Sequence, residues 1–162
     1  MKILLPVDGS LASLNAAKKA AELAKKDGYA ILMITVINEN AINSYTRNSK
    51  LWEQANGSVI DKSVAPAGED ESIRQLVQRA QQLLDSLILQ LDAPGIEIDT
   101  RVLVGEPYEK ILETAETENV DLIVMGNRGF SKIKRFFLGS VTQRVLSEVS
   151  SPVLVVHSDA RD

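Results

Sequence analysis

The chain of 162 residues is 44% hydrophobic and 25% charged, the make-up of a single soluble globular domain with a full core. A net charge of -4 argues against a nucleic-acid binder. The absence of cysteine excludes disulfides, thiol catalysis and zinc–thiolate sites, and one histidine, His157, excludes a two-histidine metal site.

No apolar run approaches the roughly 20 residues of a membrane span, and the start MKILLPVDGS lacks the longer apolar region of a signal peptide. The expected location is therefore cytoplasmic. Residues 3–7, ILLPV, read as a short buried strand that Asp8-Gly9-Ser10 ends. A helix follows, with Leu11, Leu14, Ala17, Ala20, Ala21 and Ala24 toward the core, and Asp27-Gly28 stops it. The continuous apolar run 30–37 suits an inner strand of a parallel sheet.

From 38 to 68 the pattern fades into a long connection rich in Asn, Ser and Ala, a length that in a compact domain is usually functional or mobile. Apolar positions from Ile73 to Leu91 then recur with the 3.6-residue period of a second helix, spanning about 69–91. Residues 96–104 alternate at their start, as a less buried strand toward the sheet edge would. Gly105-Glu106-Pro107 turns the chain, with Pro107 suited to the first turn of a third helix that buries Tyr108, Ile111, Leu112 and Ala115. A fourth strand covers 122–125, and a fourth helix carries Val141, Val145, Leu146 and Val149. Ser151-Pro152 introduces a last strand, Val153 to Val156.

Strands alternating with helices five times predict a parallel sheet covered on both faces, wound with right-handed crossovers. In such sheets ligands sit beyond the carboxyl ends of the strands, where the winding reverses. If strand one is central and strand four is its neighbour across the reversal, Asp8 and Gly126 flank one crevice. Between strand four and helix four the chain reads Gly126, two residues, Gly129, nine residues, Gly139-Ser140. Strand, glycine-punctuated loop, helix is an order in which loop amides and a helix N-terminus can hold a phosphate. From Asp121 to Glu148 no acid intervenes, while Arg128, Lys132, Lys134, Arg135 and Arg144 are basic. That local excess, on an acidic chain, favours a small anionic ligand. A solvated connector whose glycines only make turns is the plain alternative.

The glycine pattern, the start ILLPVDGS, Thr35-Val36, the segment VLVGEP at 102–107 and the closing SPVLVV resemble the universal stress protein family over nearly the whole length. The resemblance implies a single α/β domain over 1–162, a doubly wound, Rossmann-like five-stranded parallel sheet of order 3-2-1-4-5. It implies ATP as the bound cofactor, with Mg2+ bridging the phosphates. Pro6, Val7, Asp8 and Val36 would hold the adenosine. Met125, Gly126, Arg128 and Gly129 would line the ribose and the start of the phosphate chain, and Gly139, Ser140, Val141 and Thr142 would bind the phosphates. It further implies a homodimer through Val153–Val156 and a regulatory stress protein read by a protein partner.

The residues supply reasons for several of these roles. Gly126 and Gly129 allow a positive φ or a close approach of backbone to ligand. Ser140 can cap the fourth helix, and Asp8 can accept from a ribose hydroxyl or, alternatively, cap the first helix. An ATP-using hydrolase or transferase competes with the regulatory reading. Against it, there is no Gly-x4-Gly-Lys-Ser/Thr loop, no paired-histidine motif and no general base in the phosphate loop.

Overall fold

The computed structural model describes residues 1–38, 68–91, 93–127 and 138–157. The interior of the predicted 38–68 connection, Arg128, Gly129 and the basic residues at 132, 134 and 135 lie outside the described residues. Five strands, β1 (Lys2–Pro6), β2 (Ala30–Ile37), β3 (Ile98–Val104), β4 (Leu122–Gly126) and β5 (Val153–Val156), pair in parallel in the order β3-β2-β1-β4-β5. Among the described residues four helices alternate with them: α1 (Leu11–Asp27), α2 (Gly68–Leu91), α3 (Pro107–Thr117) and α4 (Ser140–Glu148). The predicted order 3-2-1-4-5 is the observed one.

The central strands are apolar on both faces because both faces are covered. Ile3 and Leu5 point to one side, with Ala16, Ala17, Ala20 and Ala24 of α1 and Leu84 and Leu87 of α2. Leu4 points to the other, with Ile111 and Ala115 of α3 and Val145 of α4. Ile3, Leu4 and Leu5 are wholly buried, each stabilising the fold by about 1.5–3 kcal/mol. The alanine stripe lets α1 lie close to the sheet.

Two leucines expected in the core face solvent instead. Leu11 is 59% exposed, because the buried face of α1 runs through Ser13, Ala16, Ala17, Ala20 and Ala24, and residue 11 falls out of phase with it. Leu146 is 40% exposed for the same reason. Val141 and Val145 lie four apart on the inner face of α4, with Val149 packed on the same side just past its end, and Leu146 is a further turn of about 100° round. The third strand also starts later than its alternation suggests. Gly95 takes φ +82° and the Ile96 amide bonds the Ala93 carbonyl at 3.3 Å, so Ile96 belongs to a turn.

A charge cluster fastens the start of β1, the middle of β3 and the end of α3 together. Glu118, just past α3, accepts from Lys2 Nζ at 2.7 Å and from Arg101 Nη1 at 2.6 Å, and Asp121 Oδ2 accepts the Lys2 amide at 2.6 Å. Lys2 first and Arg101 second hold the Glu118 carboxyl below its usual range. The carboxyl edge of the sheet, where the central strands end, carries no further network of ion pairs among the described residues.

Candidate functional site

A cavity of about 310 Å³ opens at that carboxyl edge, across the ends of β2, β1 and β4. Its size lies at the lower end of the ~300–1,000 Å³ typical of small-molecule sites. Ten of the residues singled out from the sequence line it: Pro6, Val7, Asp8, Val36, Met125, Gly126, Gly139, Ser140, Val141 and Thr142. Strand order is what brings them together, since β1 and β4 are neighbours and their following helices depart to opposite faces.

Five further lining residues escaped the sequence reading: Ser10, Ser13, Ile34, Pro107 and Ile111. The signal that would have found them is architectural. Every helix of a parallel α/β sheet starts at the carboxyl edge, so the first turns of α1 and α3 border the same crevice as α4. Ile34, Val36, Pro107, Ile111, Met125 and Val141 make the wall largely apolar.

The polar parts come from loops and helix starts. Asp8 is the one charged residue among the described lining residues. Its Oδ1 accepts the Ser10 amide at 2.9 Å, and Ser10, not Asp8, caps α1, its Oγ accepting from the Ser13 amide at 3.2 Å. At α4 the expected cap is displaced by one residue. Gly139 is the N-cap, with its carbonyl accepting the Gln143 amide at 2.9 Å, and Ser140 is the first helical residue. The amides of Ser140, Val141 and Thr142 therefore have no acceptor within the helix, and they carry the positive end of its dipole.

Three bonds hold this helix start against the sheet. The Asn127 amide donates to the Val156 carbonyl at 2.8 Å, and the Asn127 carbonyl accepts the Gly139 amide at 2.7 Å. Thr142 Oγ1 donates to the Gly126 carbonyl at 2.9 Å, so its proton serves the fold and its amide remains for a ligand. Asn127, buried between two glycines of the pattern, was not singled out from sequence. Farther along, the Arg144 guanidinium lies 3.9 Å from the centroid of the Tyr108 ring and joins α4 to α3, a contact worth about 0.5–1 kcal/mol at an exposed site.

Gly126, which lines the cleft, also has a packing role. Its φ is not positive, and it permits a close approach of β4 to α1. A Cβ there would stand 2.8 Å from the Ala12 carbonyl carbon and 2.9 Å from the Ala12 Cβ. The strand end and the first turn of α1 are pressed together with no room for a methyl group. Gly126→Ala should accordingly destabilise the protein by about 1–3 kcal/mol in chemical denaturation. A midpoint equal to that of the parent protein would contradict this packing.

The sequence pattern of the universal stress protein family matches residues 1–157. Universal stress protein MJ0577 of Methanocaldococcus jannaschii is 32% identical over 155 residues, covering 96% of this chain and 93% of the relative. The solved structure of MJ0577 superposes with a TM-score of 0.75 at 29% identity, covering 96% of this chain and 94% of that one. A universal stress protein solved in complex with cAMP shares the fold, with a TM-score of 0.58 at 23% identity and coverage of 98% and 97%.

Proposed function

The chain belongs to the universal stress protein family, and on that premise we propose that its cleft binds ATP, and that the nucleotide-bound dimer is what a protein partner reads. The observation that carries the reading is the order of chemistry along the cleft. Moving from β2 through β1 to β4, the wall offers an apolar slot, then a carboxylate, then amides with no acceptor within their helix. Base, sugar and phosphates want those three environments in that sequence.

The slot has a polar edge suited to adenine. The β1–β2 ladder closes with the Val7 amide on the Ile34 carbonyl at 2.8 Å. Peptide groups alternate sides along a strand, so those of Val36 also point toward β1. They lie one step beyond the ladder and meet no backbone partner among the described residues. One amide and one carbonyl there complement the ring acceptor and amino donor on adenine's pairing edge. Guanine presents the reverse pattern.

Asp8 sits at the end of β1, between base and phosphates, where a ribose hydroxyl can donate to it. Nearer the phosphates its charge would repel them. The phosphate chain falls to the amides of Ser140, Val141 and Thr142, an anion site of the helix N-terminal kind. Arg128 and Gly129 join this set on the glycine pattern alone. Among the described residues no group of three or more His, Asp or Glu side chains could hold a metal ion. Magnesium arriving with the nucleotide would thus keep phosphate oxygens and water as its ligands.

The cAMP complex of a family member supports an adenine nucleotide as the ligand class. Asp8, the one described lining group that can take up a proton, stands at the sugar, so binding rather than phosphoryl transfer is the favoured reading. No helix among the described residues is long and apolar enough to cross a membrane. Titration calorimetry tests the cleft: ATP should bind at least about tenfold more tightly than GTP, since mismatched donors leave backbone groups unpaired. Equal affinities, or no heat with ATP, would refute it.

Dimerisation is read from β5. Among the described residues it is the sheet's edge, four residues long and half-buried throughout, and its outer peptide groups have no strand partner there. Sedimentation at micromolar concentration should show a dimer, and Val155→Pro should shift it toward monomer. A parent protein that sediments as a monomer contradicts the pairing.

A further inference from the structure

Asp8 hangs from a residue that belongs to neither strand nor helix and is itself exposed, so the sheet does not fix where its carboxylate points. The next two residues do. Gly9 has φ +84°, in the left-handed region, and the chain reverses there so that the Ser10 amide reaches Asp8 Oδ1 at 2.9 Å. Ser10 in turn cannot shift. It is buried, its Oγ accepts the Ser13 amide at 3.2 Å, and its carbonyl accepts from the Leu14 amide at 3.0 Å and the Ser13 hydroxyl at 2.9 Å. Helix α1 holds Ser10, Ser10 holds one carboxylate oxygen, and Asp8, Ser10 and Ser13 share the cavity wall.

We propose that Gly9 and the Ser10 amide are positioning elements for Asp8, and that the clamp they form makes the cleft select nucleotides with a ribose cis-diol over those without one. This rests on the cleft being the adenine-nucleotide site argued above. A cis-diol presents two O–H donors side by side. A carboxylate with one oxygen already tethered offers the other at a fixed place, and a charged acceptor gives the stronger class of hydrogen bond. An untethered, exposed carboxylate would have to be immobilised on binding, and that cost would erode the discrimination. The conformation at residue 9 carries the effect. A β-branched side chain is strongly disfavoured at positive φ, whereas Asn tolerates it.

The test measures affinities of ATP, 2′,3′-dideoxy-ATP and inorganic tripolyphosphate by calorimetry for the parent protein, Gly9→Val and Gly9→Asn. The parent should bind ATP about tenfold or more tightly than the dideoxy analogue, the scale of one lost hydrogen bond to a charged group. In Gly9→Val that ratio should fall toward one through weaker ATP binding, with tripolyphosphate unchanged, and Gly9→Asn should restore it. A role confined to folding would weaken all three ligands together. Should Gly9→Val not fold, Gly9→Ala provides the same comparison with less strain. If ATP binds but the parent shows no preference, or the preference survives loss of the positive φ, the clamp is wrong while the site stands. If the parent binds no ATP, the site and the clamp fall together.

Discussion

Where β1 and β4 lie side by side, the chain leaves one strand toward one face of the sheet and the other toward the opposite face. That divergence is the constraint on which everything else depends. It opens a crevice at the carboxyl edge and directs the first turn of α4 into it, with amides that no helical carbonyl can satisfy. Buried main-chain donors need a partner. Among the described residues the neighbouring backbone supplies one for Gly139, through Asn127, and none for the next three.

The crevice stays narrow because its walls touch beneath it. Gly126 against Ala12 brings β4 and α1 to backbone contact, and the Thr142 hydroxyl bonds the carbonyl of the same glycine. One residue later, Asn127 ties both the edge strand β5 and the cap of α4 to the end of β4. A rearrangement at the helix start would thus be felt at the edge strand through a single peptide. The cation–π contact of Arg144 with Tyr108 steadies the other two helices that border the opening.

Much of this was written in local patterns. Continuous apolar runs marked β2 and β4 because both faces of those strands are covered, and a reader of periodicity needs nothing more. The glycine spacing marked the loop and helix start that border the cleft, because turn and cap chemistry is local as well. What escaped depended on partners distant in sequence. The packing of Gly126 against Ala12 involves another element, and no local pattern announces it. Ile34, Pro107 and Ile111 carry no polar signature and join the site only through strand order. Ser140 was off by one as a cap because Gly139, with no side chain to advertise the role, adopts the extended N-cap conformation itself. Leu11 was misplaced because a single leucine cannot declare its phase, whereas the alanine stripe that follows can.

In the proposed site main-chain donors at the start of α4 grip the phosphates, and amide NMR reads those donors directly. On titration of the isotope-labelled protein with ATP, the N–H signals of Ser140, Val141 and Thr142 should move among the furthest of all. Inorganic tripolyphosphate should move the same three while leaving Val36 in place. If ATP binds and these three amides keep their unliganded shifts, the phosphates are held elsewhere and the account of the site is wrong.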